Sequence, residues 1–227
     1  MPLTNHAMLV SLTIKQWGAR KLDRNASNEL CDSKQAQRSS GNFNKLLIPK
    51  IHLQAIQKLV NSIRNYHYSN TLPWEHKGSD ILPSNQYFEY TQQMGNFKTQ
   101  FENKVDEFLT AYPTILEQVE SSLKDLYNEH DYPSVEVISK KFELTVSMSP
   151  IPDAGDFRID LEQAEIDKLE EQLSERMVQA NKNAETELFS RLYTTVAKAV
   201  VKLKDPVGVF RNTLIINIIE EATKHPT

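Results

Sequence analysis

IDKLEEQLSERMVQANKNAETELFSRLYTTVAKAVVKL, residues 166–203, is the stretch on which the architecture turns. Ile166, Leu169, Leu173, Met177, Ala180, Ala184, Leu188, Leu192, Val196, Ala199 and Leu203 recur every three or four residues. That period puts them on one side of a helix roughly 60 Å long, at about 1.5 Å per residue. A seam so long predicts a coiled coil or an elongated helical hairpin, and Ala180 and Ala184 would let a partner helix come close. The partner is either the helix expected from Gln86 to Ala111 or a second copy of the chain, which would make a homo-oligomer. The expected interface is Leu173, Met177, Ala180, Ala184, Leu188 and Leu192. Leu214 and Ile218 join it from the apolar segment Val209–Ile219, which follows the break at Asp205-Pro206. So apolar a segment needs a groove, or a chain that continues past Thr227. The expected fold class is mostly α (α+β): an elongated helical hairpin or coiled coil with a small antiparallel β ribbon.

Outward from the seam, Phe142, Leu144, Val146 and Met148 alternate with polar residues and predict a strand. Pro150, Pro152 and Gly155 mark a loop, and Phe157–Asp160 reads as the returning strand of a ribbon over about 141–160. Two strands alone are marginal, so residues 8–14 are the candidate third. Pro49 opens a helix whose stripe is Leu53, Ile56, Leu59, Val60 and Ile63. Arg20–Arg38 reads as a polar helix and Ser39–Asn44 as a turn. The helix from Gln86 carries Tyr87, Tyr90, Met94, Phe97, Phe101, Val105, Phe108 and Leu109, and Pro113 is expected to start a separate helix. The chain divides into a basic head, 1–83, with an aromatic loop, and a long-helix body, 84–227.

Charge is unevenly placed. Residues 1–64 hold ten Lys or Arg against three Asp or Glu; residues 65–227 hold sixteen against twenty-seven. A basic head on an acidic body predicts a partner of opposite charge. That partner is an acidic protein surface, single-stranded DNA, or the chain's own acidic body. The candidate contacts are Lys15, Arg20, Lys21, Arg24, Arg38, Lys45 and Arg64, with Trp17, Tyr68 and Trp74 supplying rings. Cations that track a phosphate backbone, with rings for bases, make up the chemistry of single-strand binding.

Catalytic signatures are missing. The six His residues form no HxxxH or HExxH set, and neither a phosphate-binding Gly-rich loop nor a Gly-x-Ser-x-Gly elbow occurs. His67 and His76 flank Trp74 and Glu75, and Asp153, Asp156 and Asp160 cluster near the Pro-rich loop; turns and caps explain both groups better than a metal does. No catalytic residue, metal or cofactor is expected. The single Cys31 rules out an internal disulfide and fits a reducing cytoplasm. The N-terminal residues show no long apolar core before a cleavage site and the sequence no run of eighteen apolar residues, so neither a secretory signal nor a membrane span is expected.

Four phrases carry a resemblance: Ser11–Asp23 (SLTIKQWGARKLD), Gly41–Leu47 (GNFNKLL), Tyr66–Trp74 (YHYSNTLPW) and Pro152–Arg158 (PDAGDFR). Together they resemble an uncharacterised protein family of bacteriophages and integrative mobile elements. Its members are often encoded beside a MoxR-like AAA+ ATPase and a von Willebrand A-type protein, and sometimes near recombination proteins. The resemblance implies a non-enzymatic interaction or scaffold protein accessory to a remodelling ATPase, with one of those two proteins as partner. The alternative it implies is a single-stranded DNA-binding accessory factor in recombination or replication. It assigns no catalytic residue.

Overall fold

A computed structural model describes residues 6–74, 78–152 and 163–204, together with Ile216 and Ile219. The alternating apolar stretch near the N-terminus forms β1 (Ala7–Lys15), and β2 (Arg20–Asp23), α1 (Arg24–Ser33) and β3 (Phe43–Leu46) follow. Next come α2 (Ile51–Asn70), β4 (Leu72–Pro73), β5 (Asp80–Pro83) and α3 (Tyr87–Leu123). The order closes with α4 (Val135–Ser139), β6 (Glu143–Ser149) and α5 (Gln163–Lys204). One sheet has the order β4-β5-β1-β6; the antiparallel pair β2-β3 forms a second.

The chain makes two compact units, each assembled from separated stretches. The first takes residues 1–12, 64–94 and 146–227; the second takes 13–63 and 95–145. β1, α2, α3 and β6 therefore each contribute residues to both.

In the first unit, β5 pairs antiparallel with β1, with Met8 opposite Leu82 and Leu9 opposite Ile81. Leu9, Leu72, Trp74, Ile81 and Ile151 form an apolar cluster with Ala180 and Ala184 of α5; Met177 and Leu188 pack at its edge. This overturns the expected fold class. The helix is continuous over Gln163–Lys204, as its period predicts, but its apolar side lies on strands. Neither an elongated helical hairpin nor a coiled coil forms. The chain is α+β, with helix and sheet interleaved. The two alanines do permit close approach, but what approaches is the strand surface around β4. Periodicity reports which side of a helix is buried and is silent on whether a helix or a sheet buries it. Of the remaining interface residues, Leu173 and Leu192 are half-buried on α5, while Leu214 and Ile218 lie outside the described residues.

Overpacking tests this arrangement. Ala180→Leu pushes a branched side chain into a filled contact and should cost about 1–3 kcal/mol in chemical denaturation. Val178→Ala, on the exposed side of the same helix, should stay within about 0.5 kcal/mol.

The second unit is built around aromatic rings. Trp17 meets Phe108 at 6.2 Å and Tyr112 edge-on at 5.8 Å between ring centres, and Phe142 meets Phe108 at 5.8 Å. Ile56, Val60 and Ile63 of α2 are fully buried, as the stripe predicts. Helix α3 departs from expectation by running through Pro113. The missing N–H and ring clash cost about 3 kcal/mol or more in a helix interior. Tyr112, Ile115 and Val119 continue the buried stripe of Phe101, Val105 and Phe108 across the proline, and that burial holds the helix together. The polar helix expected over 20–38 is confined to α1, because residues 20–23 pair with 43–46. The returning strand at 157–160 lies outside the described residues.

Candidate functional site

Asp23 is where the ribbon meets helix α1. Its Oδ1 accepts from the backbone N–H of Ala26 at 3.0 Å and so caps the helix. Ser27 Oγ accepts from the N–H of Phe43 at 2.8 Å, which ties α1 to β3. β2 and β3 pair with Lys21 opposite Lys45, so both amines rise from the same part of the ribbon. They converge on one carboxylate. Asp131 Oδ2 lies 2.5 Å from Lys45 Nζ, and Asp131 Oδ1 lies 2.6 Å from Lys21 Nζ. Lys45 also donates to the Leu126 carbonyl at 2.7 Å, and Asp23 Oδ2 stands 3.6 Å away. The side chain of Lys45 is 3% exposed and that of Asp131 is 8% exposed. The Lys45 ammonium thus has two close acceptors, with Asp23 as a second counter-charge, as a buried charge requires. Burial tends to raise the Asp131 carboxyl, but the hydrogen bonds and charges of Lys21 and Lys45 together carry it below its ordinary value.

This cluster forms the floor of an open groove of about 1030 Å³ in the second unit. One wall is Lys21–Ala26 with Glu29, and the other is Asp125–Asn128. Leu22 and Leu126 are exposed there, as are Arg24 and Glu29. The lining mixes both charge signs with apolar spots.

A second cluster lies in the first unit. His67, 1% exposed on α2, places Nδ1 2.7 Å from Tyr90 Oη and Nε2 2.8 Å from Asp80 Oδ2. With Asp80 ionised, Nε2–H donates to the carboxylate and Nδ1 accepts from the phenol. Burial above all, then the charges of Tyr66 and Asp80, raises the Tyr90 phenol far above its ordinary value, so it stays a donor. Tyr66 stacks on Tyr90 at 6.0 Å. The chain Asp80–His67–Tyr90 ties β5 to α2 and α3 from inside. His76 lies outside the described residues.

The candidate contact residues part company. Trp17 and Trp74 are buried in the cores of their units. Lys45 is buried, and Lys15 pairs with Glu143 at 2.6 Å in the open. Arg38 pairs with Asp32 at 3.1 Å on the surface. Arg20, Arg24, Arg64 and Tyr68 are exposed. Lys15, Lys21 and Lys45 are thus each bonded to carboxylates from later in the chain. Asp23, Leu22, Leu126 and Asp131 form the groove without any signal in the sequence, because only the fold brings residue 131 to residue 45.

Among the described residues, no group of His, Cys, Asp or Glu is arranged to hold a metal ion. Among them too, no helix is long and apolar enough to cross a membrane. No protein-family model, curated protein or solved structure matches the chain.

Proposed function

We propose that the chain is a non-enzymatic interaction protein that docks a partner protein in the groove between β2 and Asp125–Asn128. Its resemblance to mobile-element proteins suggests a role accessory to a remodelling AAA+ ATPase. The supporting observation is the groove itself: exposed Leu22 and Leu126 beside Arg24, Glu29 and Asp125, over a floor held by buried ion pairs. Apolar spots ringed by charges of both signs suit a protein surface. A phosphate backbone asks instead for an unbroken cationic track and rings free to stack. Here three of the lysines are engaged by carboxylates, and both tryptophans lie in cores.

Two titrations separate the readings: a MoxR-like ATPase from a mobile element, and a fluorescent single-stranded oligonucleotide. The expected result is ATPase binding that weakens by about tenfold or more in the double variant Leu22→Glu, Arg24→Glu. Oligonucleotide binding at about 50 mM salt would overturn the proposal if it fell steeply with added salt and vanished in Arg20→Glu, Arg24→Glu.

A further inference from the structure

The ribbon of β2 and β3 leaves an edge open beside the groove. Leu47 N–H donates to the Ala19 carbonyl at 2.8 Å, and the register sets Lys21 opposite Lys45 and Asp23 opposite Phe43. Hydrogen-bonded pairs alternate along an antiparallel ladder, so residues 19, 21 and 23 turn their main-chain groups toward β3. Arg20 and Leu22 turn theirs away. Their sheet has two strands, so among the described residues no third strand meets those N–H and C=O groups. β2 lines the groove from Lys21 to Asp23, whereas β3 enters the lining with Lys45 alone. The open edge of β2 therefore borders the groove.

An edge of this kind specifies its occupant by geometry, because another extended backbone is what presents donors and acceptors at the spacing of alternate residues. Side chains narrow the choice. Arg20 and Leu22 share one face of the ribbon and both are exposed, while Lys21 between them reaches Asp131 at the floor. Arg20 calls for an acid on a neighbouring strand, and Leu22 for an apolar side chain. We propose that a partner adds one antiparallel strand to β2, with an apolar residue opposite Leu22 and, two residues later, an acidic one opposite Arg20. Antiparallel pairing suits so short an edge, since each outward residue then exchanges both of its bonds with a single partner residue. Such a strand occupies the docking groove and so rests on that reading, to which it adds the form and charge of the segment that enters.

Amide NMR of the full chain, titrated with the capped peptide Ser-Thr-Val-Ser-Glu-Thr-Ser, tests it. The expected result is movement of the Arg20 and Leu22 amides, slower hydrogen exchange at both, and a Kd on the order of 1 mM or below. Methylating the peptide nitrogens of Val and Glu removes two donors and should weaken binding about tenfold or more. Leu22→Pro removes an outward N–H and keeps the ladder at Lys21 and Asp23. It should weaken the peptide more than Leu22→Ala does, with the urea midpoints of the two variants alike. Amides that stay in place at about 10 mM peptide overturn the proposal. So does equal affinity for the methylated peptide, a result that stands even if the proline variant fails to fold. A MoxR-like ATPase that binds Leu22→Pro and Leu22→Ala equally overturns the added strand and spares the groove. An ATPase that ignores the native chain sinks the groove reading, and the peptide titration still decides the edge.

Discussion

Asp131→Asn should lower the unfolding free energy by roughly 3 kcal/mol, the scale of stranding one member of a buried ion pair. The amide keeps the shape and removes the charge, so Lys45 stays almost wholly buried with only Asp23, 3.6 Å away, as counter-ion. The loss comes from the uncompensated ammonium rather than from a missing attraction. The double variant Lys45→Met, Asp131→Leu should therefore recover most of it, because replacing both charges with apolar groups of similar size is close to neutral. Urea denaturation of the three variants provides the measurement. A loss below about 1 kcal/mol in Asp131→Asn would mean that Lys45 reaches solvent at little cost. The same carboxylate sets an acid limit. Its folded-state value is depressed, so its contribution is complete above the ordinary carboxylate range and disappears as pH falls through the lower, folded value.

His67→Leu should cost about 2–4 kcal/mol. Leucine fills similar space, so the loss isolates the polar bonds. Tyr90, 1% exposed, is left with a buried hydroxyl and no acceptor on His67, whereas Asp80 lies near enough to the surface to hydrate. Tyr90→Phe alone removes one bond and should cost about 1 kcal/mol. Combined, the two changes should cost less than their sum, since the phenylalanine removes the hydroxyl that His67→Leu strands. Strict additivity in that cycle would show that the imidazole and the phenol do not act as a unit.

What could be read in advance follows from what period encodes. The stripes on α2 and α5 and the alternation at 142–148 each fixed an element and its buried side. The stripe from Tyr90 to Phe108 did so as well, but Pro113 hid its continuation: local propensity argued for a break, and the burial of Tyr112 and Ile115 overrode it. Strands β2 to β5 were missed because each has four residues or fewer, too short for alternation to register. The seam on α5 was read correctly as buried and given the wrong partner, since Ala180 and Ala184 look the same to a strand as to a helix. The charge imbalance was visible, and so was self-complementarity as one of its explanations. The meeting of Lys45 with Asp131 depends on separations that no local pattern records.

The interleaving of the two units bears on how the protein is made. On a ribosome, the second unit cannot close until residue 145 has emerged, and the first must wait for α5, which runs to Lys204. Until then the cluster of Leu9, Leu72, Trp74 and Ile81 that Ala180 and Ala184 cover stands exposed. Slow acquisition of structure follows from pairings so distant along the chain, as does reliance on holding chaperones during synthesis. Neither unit can be excised by a single cut, so proteolysis should yield the intact chain or small peptides and no stable half.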